Sequence, residues 1–88
     1  TVAPPDRRRH RLGSHSHART AALIDRLRRR ARDPRLALQA SVALARVYRL
    51  RRMPREAAAW LSRAEAIDRA DAAVRRERAL LLRLVREP

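Results

Sequence analysis

There is no cysteine in this chain, no phenylalanine, no lysine and no asparagine, and there is a single glycine, Gly13. Without thiols there is neither a disulfide framework nor thiolate chemistry. A phosphate-cradling loop needs several glycines so that backbone N–H groups can reach the anion, and one does not suffice. Aromatics are 2% of the residues, namely Tyr48 and Trp60, so any core must be assembled from alanine and leucine. Burying alanine removes little surface from water, at roughly 25 cal/mol per Å². In a chain of 88 residues that makes a thin core, which gains from a partner or from self-association. Long apolar runs are missing as well. The run from Ala79 to Leu82 near the C-terminus is far too short to span a bilayer.

What is abundant is arginine. All 23 basic side chains are arginine against 9 acids, for a net charge of +14. A GC-rich coding sequence would leave the same trace, but arginine also offers a planar fork that grips phosphate or carboxylate through two bonds. The charge is unevenly spread: fifteen arginines face three aspartates in residues 1–52, and eight face six acids in residues 53–88. A one-sided basic half is the footprint of a polyanionic partner, whether RNA, DNA, an anionic membrane surface or an acidic protein.

The chain divides into a basic irregular arm over residues 1–15 and a helical domain over residues 16–88. In the arm, Pro4-Pro5 opposes helix, and Asp6-Arg7-Arg8-Arg9-His10-Arg11 is too polar to bury itself. The chain starts at Thr1 rather than Met, and a start bearing Arg, Ser and His suits either the remnant of an organellar transit peptide or an ordinary basic arm. The first helix is expected from about His17, with Ser16 as N-cap and Thr20, Leu23, Ile24, Leu27 and Ala31 toward the core. Its other side carries Arg26, Arg28, Arg29, Arg30 and Arg32.

Asp33-Pro34 should end that helix and start a second, with Asp at the N-cap and Pro at the first helical position. The second helix, to about Leu50, shows an apolar arc of Leu36, Ala40, Ala43, Leu44 and Val47, widened by Leu38, Ala45 and Tyr48. Arg35, Gln39, Val42, Arg46 and Arg49 are left as an outward strip. An arc this wide marks a helix packed on two sides. The third helix begins at Pro54, with Ala57, Trp60, Leu61, Ala64 and Ile67 inward. The fourth runs from about Arg69 to Arg86, with Asp68 as N-cap and Ala70, Val74, Leu81 and Val85 on one face, flanked by Ala73, Leu80 and Leu84. No Gly or Pro separates the last two helices, and a break between Asp68 and Asp71 is favoured over one long bent helix.

The spacing within the central hairpin, Leu36 to Ile67, resembles one tetratricopeptide (TPR) repeat over roughly residues 37–70. Leu44, Ala45 and Tyr48 match the large, small and tyrosine positions of its first helix, and Ala57, Leu61 and Ala64 the small, large and small positions of its second. Small residues let the two backbones approach, and Tyr48 fills the space beside them. Ser41 stands where a large aromatic is frequent and Arg69 where proline is usual, so the neighbouring repeats would be degenerate. The fold class expected is therefore all-α: three to four helices in antiparallel, TPR-like hairpins, preceded by the basic irregular arm. The resemblance implies a protein-interaction scaffold working inside a larger assembly. Trp60, with Leu44, Tyr48, Ala57, Leu61 and Ala64, forms the expected partner-binding and core set.

Catalytic and cofactor chemistry finds no foothold in this pattern. His10, His15 and His17 are the only histidines, and His15-Ser16-His17 lacks the further fixed ligands a structural zinc requires. The acids mostly neighbour arginines as surface pairs, Asp25 with Arg29, Glu65 with Arg69 and Asp71 with Arg75. A helix–turn–helix reader around residues 50–60 is disfavoured by the length of the preceding helix and by Pro54 in its turn. Tyr48 and Trp60 could stack on bases, but both lie on apolar stripes and read as core. No metal, no cofactor, no small-molecule substrate and no enzyme activity is expected. Instead, Arg7, Arg8, Arg9 and Arg11, with Arg26, Arg28, Arg29, Arg30 and Arg32, are the polyanion-binding candidates. The function expected is a non-enzymatic adaptor or scaffold subunit that docks protein partners through its helices and touches a polyanionic surface through its arginines. The alternatives are a structural RNA-binding subunit, such as a small ribosomal or organellar-ribosomal protein, and a basic membrane-surface assembly factor. An intracellular setting, cytoplasmic or in an organellar matrix, is expected.

Overall fold

Pro5, Pro54 and Asp71 mark where three helices of this chain begin, and Asp33-Pro34 marks the turn before the other. The computed structural model describes residues 5–87, with side chains from His17 onward. Four helices follow one another: α1 (Pro5–Arg30), α2 (Ala37–Leu50), α3 (Pro54–Ile67) and α4 (Ala72–Arg86). They pack as antiparallel hairpins, and no strand occurs among the described residues. The all-α expectation holds. α2 lies at the centre, as its wide apolar arc predicts, and touches all three other helices; α3 also touches α4, whereas among the described residues α1 touches α2 alone.

The irregular arm is corrected. Helix α1 starts at Pro5 rather than near His17, so residues 5–15 are helical backbone, Ser16 lies within the helix rather than at its start, and residues 1–4 lie outside the described residues. Proline at the first helical position loses no hydrogen bond, because the N–H it lacks would have had no partner. Arginine is a good helix former, and Gly13 costs only about 1 kcal/mol within the helix.

The start of α2 is also corrected. Asp33-Pro34 builds a turn in place of a cap: the Leu36 N–H donates to the Asp33 carbonyl at 2.9 Å, and the Arg35 N–H to Asp33 Oδ1 at 2.9 Å. Asp at the first and Pro at the second position is the preferred composition of a type I turn. Leu36 therefore sits in the turn and is 39% exposed rather than on the core stripe.

The hairpin between α2 and α3 closes with a Schellman motif. The Met53 N–H donates to the Tyr48 carbonyl at 2.9 Å and the Arg52 N–H to the Arg49 carbonyl at 3.0 Å, with Arg52 at φ 57°. That left-handed position favours glycine, since a Cβ there costs on the order of 1 kcal/mol. Arg52→Gly is accordingly expected to stabilise the chain by about 0.5–1 kcal/mol. A urea titration followed by circular dichroism reads this directly, and a lowered midpoint would contradict the assignment.

α3 begins at Pro54 as expected. A break does separate α3 from α4, but the cap is Asp71 and not Asp68. Asp71 Oδ1 accepts from the Ala73 and Val74 N–H groups at 2.9 and 3.1 Å, while Asp68 Oδ1 accepts from the Ala70 N–H in the connecting turn. Ala70 lies in that turn and is exposed, and Ala73, Ile67 and Val85 are exposed too, because no helix covers those sides.

The core gathers around three large, fully buried side chains, Leu44, Leu61 and Val74. Leu27, Ala45, Tyr48, Ala57, Ala64 and Leu81 join them in one cluster. Leu23 is more exposed than its place on the α1 stripe predicts; α1 places Leu27 in the cluster, with Ile24 and Ala31 partly buried against it. Trp60 is half-buried against the cluster, and the Arg63 guanidinium lies 4.7 Å from its ring centroid, a cation–π arrangement.

Candidate functional site

Where α4 lies beside α2, the two run in the same direction and leave a groove between them. The groove has a volume of about 570 Å³, with Leu38, Val42, Ala43 and Leu80 as its apolar floor. A second hollow of about 290 Å³ shares Arg49 and Leu80 with it and prolongs it toward Arg52 and Arg83. The parallel course follows from the chain path, because α3 returns antiparallel between them.

The electrostatics of this groove rest on Glu77. It stands three residues after Val74 and four before Leu81 on the buried stripe of α4, a charge set inside an apolar period. Its carboxylate is met by Arg49 of α2: Nε donates to Oε2 at 2.8 Å and Nη2 to Oε1 at 3.4 Å. The two side chains are only 17% and 9% exposed. Arg49 and Val42 are thus taken out of the outward strip expected for α2, because α4 packs over that side.

The second acid lining the groove, Asp71, is engaged with the first turn of α4. Both carboxylates of the groove are therefore committed inside the protein. Arg46 and Arg76, which line the same groove, make no ion pair among the described residues. The result is an apolar trough bearing uncompensated guanidiniums.

A second interhelical ion pair ties α3 to α4. Arg78 donates to both oxygens of Glu65, Nε to Oε2 at 3.0 Å and Nη2 to Oε1. The surface pairs expected from sequence are corrected on this point. Glu65 bonds across the hairpin to Arg78 rather than along α3 to Arg69, Asp71 caps a helix rather than pairing with Arg75, and Asp25 with Arg29 forms no ion pair among the described residues. Hydrogen bonding from Arg78 holds the Glu65 carboxyl below the usual carboxylate range, against the opposing effect of partial burial; the charges of Arg78 and Arg69 pull the same way as the hydrogen bond. The Arg78 guanidinium is raised in return.

A carboxyl depressed in the folded chain contributes its stability above its unfolded value, near 4.5. That contribution disappears as pH falls through the lower folded value. The pair is partly exposed, so the loss is expected to stay under about 1 kcal/mol. Comparing melting at pH 7 and pH 3 with that of Glu65→Gln checks this: the variant should lose less on acidification than the parent.

The six positions that carry the repeat resemblance, Leu44, Ala45, Tyr48, Ala57, Leu61 and Ala64, are all buried and lie together at the α2–α3 contact. They are packing residues that set up the groove without lining it. Of the polyanion candidates, Arg26, Arg29, Arg30 and Arg32 are exposed, and Arg28 Nη2 donates to the Tyr48 hydroxyl at 3.4 Å. The side chains of Arg7, Arg8, Arg9 and Arg11 lie outside the described residues. Sequence reading missed Arg46, Arg76 and the Arg49–Glu77 pair. The one signal for them was Glu77 standing in the stripe between Val74 and Leu81.

Among the described residues no group of three or more His, Asp or Glu is placed to hold a metal ion, and no helix is long and apolar enough to cross a membrane. No protein-family model matches the chain, and no curated protein and no solved structure matches it.

Proposed function

We propose that this chain is a non-enzymatic helical adaptor, TPR-like in its central hairpin, that holds an acidic amphipathic helix of a partner protein in the α2–α4 groove. One observation carries the reading. The groove joins an apolar floor to Arg46 and Arg76, while the groove's own acids are already spent on Arg49 and on the α4 backbone. An incoming carboxylate meets guanidiniums with no competing partner, and an apolar stripe on the same helix has Leu38, Val42 and Leu80 to cover.

The groove also runs on toward Arg52 and Arg83, where Glu87 is the one further acid against these two arginines. Arg76 and Arg83 are seven residues apart on α4, about 10 Å along a helix axis. A partner helix with acidic residues seven positions apart, flanking a leucine stripe, matches that spacing. The free energy of such docking comes mainly from the apolar floor, and the arginines supply register and rejection of basic helices.

The probe is a synthetic helical peptide with a leucine stripe and glutamates at that spacing, labelled for fluorescence anisotropy. It should bind in the micromolar range. Arg46→Gln with Arg76→Gln should weaken it about tenfold or more, and an otherwise identical peptide with lysines in place of the glutamates should not bind. Equal binding of the two peptides, or no effect of the double substitution, would sink the reading.

A further inference from the structure

The outer side of α1 is a second basic surface, separate from the groove. α1 has 26 residues and α2 has 14. At about 1.5 Å per residue those are roughly 39 and 21 Å, so α1 is much longer than the helix it packs on, and among the described residues α2 is the only helix it touches. Arg19, Arg26 and Arg30 recur at i, i+7 and i+11 and share a stripe. Arg29 stands beside them, and Arg32 and Arg35 continue into the turn. All six are exposed, and none makes an ion pair among the described residues. Of the nearby acids, Asp33 is engaged with the Arg35 N–H, which leaves Asp25 as the one opposing charge on this part of α1.

We infer that this arginine face holds the phosphodiester backbone of duplex DNA. The stripe covers about 16 Å of helix axis, and a DNA duplex offers a negative charge every ~1.7 Å along its own axis. Several guanidiniums therefore find phosphates at once.

The competing polyanions fit this face less well. Single strands are gripped by aromatic platforms, and this chain's two aromatics are elsewhere: Tyr48 is buried, and Trp60 lies on α3, out of contact with α1 and beneath Arg63. Duplex RNA presents a major groove too narrow for a helix, whereas the B-DNA major groove, about 12 Å wide, admits a helix about 10–12 Å across. A membrane-surface helix needs a large apolar face turned to the lipid. The arginine stripe holds one large apolar side chain, Leu23, 39% exposed, and a single leucine among guanidiniums makes no such face.

The inference rests on α1 alone and does not depend on the groove. The test is anisotropy of a labelled mixed-sequence DNA duplex with the full chain, across a salt series from about 50 to 200 mM. Two charge-matched variants are compared. In one, Arg26, Arg29, Arg30 and Arg32 are changed to Gln. In the other, Arg55, Arg69, Arg75 and Arg86 are changed to Gln, all exposed and on α3, α4 and the turn between them. The parent should show a slope of log affinity against log salt of about −3 to −4, for some four phosphates at roughly −0.9 each.

The α1 variant should lose most of that slope and at least tenfold in affinity, while the second variant stays within about threefold of the parent; each phosphate contact carries about one unit of slope. Circular dichroism melts of both variants confirm that they fold. Equal losses in the two variants would reduce the effect to bulk charge and overturn the inference. Tighter binding to single-stranded DNA, to duplex RNA or to anionic vesicles would overturn it equally.

Discussion

Truncating Leu61 to alanine is expected to cost about 3–4 kcal/mol, the range for a fully buried leucine whose neighbours cannot close the space left behind. Leu61 is 0% exposed and sits among Leu44, Ala57 and Ala64, which are equally buried. Alanines cannot reach across a void, so the cavity should persist. Among the described residues the core holds ten buried apolar residues and four of them are alanine, so little else compensates. Domains are stable by roughly 0.05–0.15 kcal/mol per residue, and this loss would leave a large share of the chain unfolded near body temperature. Thermal melts followed by circular dichroism should place Leu61→Ala more than 10 °C below the parent, at about 4–8 °C per kcal/mol for a domain of this size. Ile67→Ala is the control: Ile67 is 51% exposed and its truncation should cost no more than about 0.5 kcal/mol. If the two variants melted alike, Leu61 would not be the centre of the core.

Removing Glu77 should be the most damaging change at a polar position. Glu77→Ala leaves the Arg49 guanidinium, 17% exposed, against the apolar floor of the groove without its carboxylate. Breaking a pair this buried costs about 2–3 kcal/mol, most of it the penalty of a charge that has lost its partner. The pair itself is not a strong net stabiliser, because both ions give up water to form it. The double substitution Arg49→Met with Glu77→Leu should therefore recover most of the loss. Peptide binding separates stability from function. In the double variant the floor of the groove is intact and Arg46 and Arg76 remain, so affinity for the acidic peptide should change little. In Glu77→Ala the freed Arg49 becomes a third cation in the groove, and binding per folded molecule should tighten. A double variant as unstable as Glu77→Ala would show that the geometry of the pair, rather than its charge balance, holds α4 on α2.

These two residues divide what was legible in the sequence from what was not. Leu61 could be read directly: it lies four residues after Ala57 and three before Ala64, and a helix places those positions on one face. The same period identified Leu44, Ala45 and Tyr48, and Pro54 identified the start of α3. Glu77 was hidden because its partner is 28 positions away, on a side of α2 that reads as solvent-facing when α2 is considered alone. Summed charge misled for the same reason. Residues 53–88 carry eight arginines against six acids, which reads as near-neutral. Two of those acids are bonded to arginines across helices and two more to backbone in turns and caps, so the α4 side of the groove stays basic.

What the sequence determined by itself is the set of local decisions: that the chain is helical, where most of its helices stop, and which residues of each helix share a face. Those follow from the 3.6-residue period and from the chemistry of Pro and Asp, which act over a few residues. Only the tertiary structure decided which of those faces meets another helix. It left Leu36, Ile67 and Val85 open, buried Glu77 against Arg49, packed α1 on α2 and set Arg46 and Arg76 over an apolar trough. The periodicity of one helix carries no information about the direction from which another arrives.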